Sequence, residues 1–216
     1  MHITLLCALH SGLILKTLAA IQPRTTVERF LAISGINRSV LENVLDFLAV
    51  NNLCVLTDDI IEFSDSGRLK TAFLALQMGC DIEKVSALLS WKDFEILTSE
   101  ILVSFGYDTR TNVWLTKPRM EIDVIGVGTD FAIAMDCKNW KRNNVSAICR
   151  ASMKQARRAQ RLLNWDDAIT RVVPVILTLH IESEKFVRGV PIVPVQKFGS
   201  FVSEMPSFLS EICIAG

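Results

Sequence analysis

Two apolar, β-branched segments, Glu121-Ile122-Asp123-Val124-Ile125 and Ala134-Met135-Asp136-Cys137-Lys138, carry charged side chains at alternate positions. Alternate residues of a strand share a face, so Glu121 accompanies Asp123 and Asp136 accompanies Lys138, while Ile122 and Val124 take the opposite side. Each unpaired ion placed between packed strands costs several kcal/mol, so the pattern needs a reason. If the two strands are neighbours, Asp123 and Asp136 face each other, and a divalent cation together with Lys138 relieves their repulsion. Two carboxylates, the Cys137 backbone carbonyl and water make an oxygen-only sphere that suits Mg²⁺ or Mn²⁺ rather than zinc. Such an ion polarises a phosphate and lowers the pKa of an attacking water. Lys138 would orient that water or neutralise charge in a pentavalent transition state. A surface Asp–Lys pair at a strand end gives the same spacing, so the elements around it matter.

Those elements fall into two halves, 1–90 and 91–216. In the second half, Trp91-Lys-Asp-Phe94-Glu95 opens a helix to about Phe105, with Phe94, Leu97, Ile101 and Leu102 on one face and Gly106 closing it. Strands are expected at 107–115, 121–127 and 131–138. A polar break at 139–144 precedes a long basic helix to Leu163. Strands at 172–179 and 190–195 and a helix over 200–210 follow. The order αβββαβ with one further strand predicts an α/β sandwich around a central mixed sheet.

The first half reads as a smaller, mostly helical domain. A helix over 2–21 ends before Pro23, and Thr25 or Thr26, with Glu28, caps a short helix to Ser34. Gly35-Ile36-Asn37 turns into a helix in which Val40, Leu41, Val44, Leu45 and Leu48 recur at helical spacing. Strands 53–56 and 60–63 flank Asp58-Asp59 as a hairpin, and helices over 65–78 and 82–89 complete the half. Helix, helix, turn, helix and hairpin is the order of a winged helix-turn-helix, which would contact DNA through Arg38, Asn43 and Asn51. Glu42 and Asp46 oppose that contact, and so does the acidic hairpin (Asp58, Asp59, Glu62).

Composition is compatible with this reading. The chain has 216 residues, 50% hydrophobic, with 23 basic and 23 acidic side chains. That is enough apolar matter for a sizeable core and the wrong balance for disorder. Net charge is uninformative, but its distribution is not. Residues 137–163 hold Lys138, Lys141, Arg142, Arg150, Lys154, Arg157, Arg158 and Arg161 with no acidic residue, a local positive field of the kind that attracts a polyanion. Six scattered cysteines without a CxxC argue against zinc and against a disulfide framework, so reduced, mostly buried thiols in a cytoplasmic protein are expected. The apolar N-terminus is broken by His10, Ser11, Gly12 and Lys16 and reads as a buried helix rather than a signal or membrane span.

Taken together, Trp91-x-x-Phe94-Glu95, Gly106-Tyr107, Glu121-Ile122-Asp123-Val124-Ile125 and Asp136-Cys137-Lys138-Asn139-Trp140 resemble the PD-(D/E)xK nucleases. Within that class they look most like the Mrr-like restriction endonucleases and archaeal Holliday-junction resolvases. The resemblance spans roughly 91–200 and implies a metal site built from Glu95, Asp123, Asp136 and Lys138. It also implies that Gln155, on the following helix, joins the catalytic set. Ile122 stands where the motif's Pro would be. Glu100 lies about 140° around the helix from Glu95, so only one of the two faces the metal. Glu95 would complete the second shell or hold a second ion.

The implied function is a Mg²⁺-dependent DNA endonuclease. Lys141, Arg142, Arg150, Lys154, Arg157 and Arg158 would hold phosphates flanking the cut, with Arg38 contributing from the first half. A homodimer would suit two-strand cleavage. Trp114, Trp140 and Trp165 have the chemistry to stack on bases, although packing is the commoner fate of tryptophan. The alternative is a non-catalytic DNA-binding regulator in which the winged-helix-like half carries function and the nuclease fold is degenerate. An RNA-processing nuclease would use the same metal logic.

Overall fold

A computed structural model describes residues 11–64, 66–116, 118–138, 145–166, 168–179, 186–210, 212, 214 and 215. The chain divides into two units, Met1–Ser90 and Trp91–Gly216.

In the first unit, α1 (Ser11–Ala20), α2 (Val27–Ser34), α3 (Arg38–Val50), α4 (Gly67–Gln77) and α5 (Ile82–Ala87) enclose one apolar core. Local chemistry sets the boundaries. Thr26 caps α2, its hydroxyl accepting the Arg29 N–H at 3.2 Å, and Gly35, at φ +61°, ends it in the left-handed conformation. Asn37 caps α3 by accepting the Val40 N–H at 2.9 Å. Leu41, Val44, Leu45 and Leu48 form the buried stripe of α3.

The hairpin is β2 (Cys54–Thr57) and β3 (Ile60–Phe63), turning through Asp58 at φ +53°. The two-stranded expectation needs correction. Residues Arg24–Thr26 form β1, pairing antiparallel with β3 to give the order β1-β3-β2. Pro23 cannot continue a helix, and two β-branched threonines prefer extended backbone, so the run into the α2 cap completes a sheet. Arg38 is exposed at the start of α3, and Asp58, Asp59 and Glu62 are exposed on the hairpin. Residues 2–10 of the expected first helix lie outside the described residues.

The second unit is an α/β layer structure. Its elements are α6 (Trp91–Ser104), β4 (Asp108–Leu115), β5 (Met120–Val127), β6 (Ala132–Lys138), α7 (Val145–Leu163), β7 (Val172–Thr178), β8 (Phe186–Val187), β9 (Val190–Pro194), a 3₁₀ turn at Val195–Lys197 and α8 (Phe198–Phe208). The sheet order is β4-β5-β6-β7-β9-β8. Strands β4, β5 and β6 form an antiparallel meander. Strand β7 runs parallel to β6, with α7 as the crossover between them, and β9 runs parallel to β7. The sheet is therefore mixed, with an all-buried β7, mostly Val, Ile and Leu with Pro174 and Thr178, at its centre.

Strand β8 was not anticipated. It closes a tight hairpin onto β9 through Arg188 (φ +55°) and Gly189 (φ +76°), and only pairing with β9 makes two residues a strand. The final helix also begins two residues before the expected position.

Helix α6 lies on β4 and β5, and α7 lies on β6 and β7. They cover opposite faces. Cys137, from one face of β6, meets the Thr98 hydroxyl of α6. Ala132 and Ala134, from the other face, pack with Ala159 and Leu162 of α7. Among the described residues Cys54, Cys80, Cys137 and Cys149 are free thiols, the first three buried. No described helix is long and apolar enough to cross a membrane.

Candidate functional site

The register of β5 on β6 decides the site. Val127, Gly126, Ile125 and Val124 pair with Ala132, Ile133, Ala134 and Met135. Continued by one step, the register sets Asp123 opposite Asp136, on one face of the sheet. The ladder stops there. Instead of a strand carbonyl, the Asp123 carboxylate accepts the Cys137 N–H, at 2.8 Å from Oδ2. A residue's N–H and C=O point toward the same neighbouring strand, so the Cys137 carbonyl is also turned toward this gap. On its other side β6 stays paired with β7 as far as Lys138. The sheet is thus open on one side of β6 and closed on the other.

A cavity of about 980 Å³ occupies the opening, with Glu95, Asn112, Asp123, Asp136, Lys138 and Arg158 in its lining. Asp136 is only 2% exposed and is held by two cations on the same oxygen. Lys138 Nζ donates to Oδ1 at 2.9 Å, and Arg158 Nη1 donates to it at 2.7 Å. Arg158 Nη1 also donates to Gln155 Oε1 at 3.1 Å, while Gln155 Nε2 donates to the Ala134 carbonyl at 2.7 Å. A buried carboxylate with two cationic donors is in an environment that keeps negative charge in the interior.

Asp123 differs. Burial pushes its pKa up, the charge of Asp136 adds to the rise, and the Cys137 N–H, Lys138 and Arg158 partly offset it, leaving a value of about 6. Glu95, buried on the first turns of α6, is also raised by burial and by Asp123, with side-chain hydrogen bonds from Asn112 and Trp91 opposing the rise. Glu100, on the same helix, is exposed.

Among the described residues no group of three or more His, Cys, Asp or Glu forms a ready-made metal cage. The donors present are Asp123, Asp136 and the Cys137 carbonyl, all oxygen, in an open cavity. That set suits an ion which keeps several waters and completes its sphere with phosphate oxygens, as Mg²⁺ does, and fits neither zinc nor a dedicated calcium cage.

Glu95, Asp123, Asp136 and Lys138 therefore line one cavity. Gln155 does not. It is fully buried beneath the site and acts on Asp136 through Arg158. Arg158, expected among the phosphate contacts, is turned inward to Asp136 instead, because it follows Gln155 by three residues and shares its side of α7. Arg150, Lys154 and Arg157 are exposed and, at spacings of four and three, form one stripe. Lys141, Arg142 and Trp140 lie outside the described residues. Trp114 and Trp165 are 45% and 44% exposed rather than packed, and Arg119 sits over the Trp114 ring at 4.1 Å.

Reading the sequence alone missed Asn112 and Trp91 as neighbours of Glu95. An asparagine in the middle of a strand-like run was the available signal for Asn112, because the residue is depleted in strands.

No family model matches the chain. It is 26% identical over 129 residues to an uncharacterised protein of Archaeoglobus fulgidus, covering 57% of this chain and 97% of that one. Three solved structures are similar to it at low scores. Protein VC1899 from Vibrio cholerae has TM-score 0.45 and 14% identity, over 95% of this chain and 53% of that one. A protein of unknown function, AF1548, has TM-score 0.32 and 18% identity over 50% and 52%. Can2 from Sulfobacillus thermosulfidooxidans, in complex with cyclic tetra-adenylate, has TM-score 0.32 and 14% identity over 81% and 43%. The chain spans about half the length of these three structures.

Proposed function

We propose that the second unit is a metal-dependent nuclease that hydrolyses phosphodiester bonds of DNA in the Asp123–Asp136 cavity. The observation that carries this reading is the pair of facing carboxylates where β5 and β6 part, beside Lys138 and open to a cavity of about 980 Å³. Strands that need no such opening stay paired, and buried carboxylates without a purpose are costly.

Asp123, Asp136 and the Cys137 carbonyl would hold Mg²⁺ or Mn²⁺, which when bound supplies a polarised phosphate and an activated water. Lys138, 32% exposed at its side chain and hydrogen-bonded to Asp136, stands at the cavity rim to carry charge developing on the phosphoryl oxygens. Glu95 lies close enough to Asp123 for the Asp123 charge to push its own pKa up, and its carboxylate is suited to orienting water in the second shell. Arg158 holds Asp136 in place through the 2.7 Å ion pair on Oδ1. The exposed Arg150, Lys154 and Arg157 stripe of α7 supplies sequence-independent attraction for the strand flanking the cut.

Incubating the full chain with plasmid, branched and single-stranded DNA, each with Mg²⁺ or Mn²⁺, tests the reading. Cleavage that disappears in Asp136→Ala supports it. Intact substrates in every condition, or equal cleavage by Asp136→Ala, overturn it. A parallel RNA series distinguishes the nucleic acid acted upon.

A further inference from the structure

The β4–β5 ladder keeps one register from Asp108 with Val127 to Leu115 with Met120, and it has one gap. The missing pair is Asn112 with Asp123. Asn112 has φ +53°, a left-handed backbone in the interior of a strand. Among the described residues, the other non-glycine residues at positive φ are Asn52, Asp58 and Arg188. Asn52 follows the end of α3, and Asp58 and Arg188 turn hairpins, so the path of the chain requires each of them. No such turn is made at Asn112, because β4 continues on the same partner to Leu115. A sparsely populated backbone conformation persists only where its surroundings hold it, and such residues gather at functional sites. Asparagine is one of the few residues that tolerates it.

The twist has a visible result. The Asn112 side chain lines the same cavity as Glu95 and lies close enough to oppose the rise that burial imposes on the Glu95 carboxyl. Position 112 sits between Glu95 on α6 and Asp123 on β5. Nearby, α6 is fastened to the same strand by the Ser99 hydroxyl donating to Thr109 Oγ1 at 2.7 Å. We propose that Asn112 is a positioning residue, whose left-handed backbone opens the ladder opposite Asp123 and whose amide fixes the Glu95 carboxylate toward the same cavity. It deepens the nuclease reading, on which its consequence for metal binding rests, while the coupling of Asn112 to Glu95 stands without it.

The test uses the full chain, with Mn²⁺ alone as the probe, in Asn112→Gly, Glu95→Gln and the double variant. Glycine adopts positive φ freely, so Asn112→Gly keeps the backbone and deletes only the amide. Calorimetric titration should show Mn²⁺ binding weakened about tenfold in Asn112→Gly, as for a residue that orients a ligand sphere. Thermal unfolding should move by less than about 4 °C. In the Glu95→Gln background the same substitution should change neither reading further. Unchanged binding in Asn112→Gly, an equal loss in both backgrounds, or failure of Asn112→Gly to fold would each overturn the positioning role. If the wild type binds no Mn²⁺, the nuclease reading fails instead. The Asn112–Glu95 coupling is then decided by unfolding temperatures alone, non-additive shifts supporting it and additive shifts overturning it.

Discussion

The two ends of the β5–β6 ladder are built from the same strands to opposite purposes. At the closed end, Val124–Val127 pair with Ala132–Met135, apolar and mostly fully buried. At the open end, one residue further, two carboxylates face each other, a side chain replaces a ladder carbonyl, and a cavity begins. Hydrophobic burial explains the first arrangement completely and cannot explain the second. The closed end is a foundation, and the open end gives up ladder pairing to hold two carboxylates at a cavity.

Moving a carboxylate across that divide gives the largest effect. Ala134→Asp places a charge at the closed end, among Ile125, Ala159 and Leu162, with no cation prepared for it. It should cost more than about 4 kcal/mol, and loss of the cooperative thermal transition would show it. If Ala134→Asp folds as well as wild type, the two ends are not different in kind.

Asp136→Ala works in the opposite direction. It should lower metal-dependent cleavage by more than about a hundredfold, beyond what supporting residues alone contribute. Near-native circular dichroism would accompany the loss, because Lys138 and Arg158 retain partial access to water.

Asp123→Asn sharpens the comparison through pH. The folded carboxyl titrates at about 6, above the ordinary aspartate value of about 4, so the native state holds this proton more tightly than the unfolded chain. The stability linked to it is complete below pH ~4 and is lost as pH rises toward 6. Asparagine removes that penalty and can still accept the Cys137 N–H. The variant should therefore gain about 3 kcal/mol at pH 8 and almost nothing at pH 4, read from thermal unfolding at both. Metal affinity in the wild type should rise with pH through the same window, since binding displaces the proton.

Gln155→Leu should cost about 1–2 kcal/mol, because it removes the amide's bond to the Ala134 carbonyl and leaves one Arg158 N–H without its Oε1 partner in the interior. Arg157→Glu should leave folding unchanged while reducing the salt dependence of DNA binding by about one phosphate contact. No change in the slope would remove the α7 stripe from the nucleic-acid surface.

Much of the second unit was legible because its signals are local. Alternation marks β5 and β6, and the polar break after Lys138 marks the start of the crossover helix. The facing of Asp123 and Asp136 followed once neighbouring strands were assumed. Other features depend on pairing made far away in the chain. The strand at Arg24–Thr26 exists because β3 is available to it, and the two residues of β8 become a strand only against β9. The inward turn of Arg158 was hidden because eight cations between 137 and 163 look alike in a charge count. The burial rhythm of Ile148, Ser152, Gln155, Ala159 and Leu162 separates it from its exposed neighbours. The left-handed backbone at Asn112 left only one trace, an unlikely residue type in mid-strand.

Helix α7 carries the Gln155–Arg158 support on one side and the Arg150, Lys154 and Arg157 stripe on another, all on one 19-residue rod. The two tasks are locked in phase by helical geometry alone. A single residue inserted ahead of Gln155 would rotate everything after it by about 100°, carrying Arg158 away from Asp136 and bringing a different side chain to the sheet. Relatives of this chain should therefore vary in the length of the segment before α7, and hold the count of residues between its support and its stripe constant.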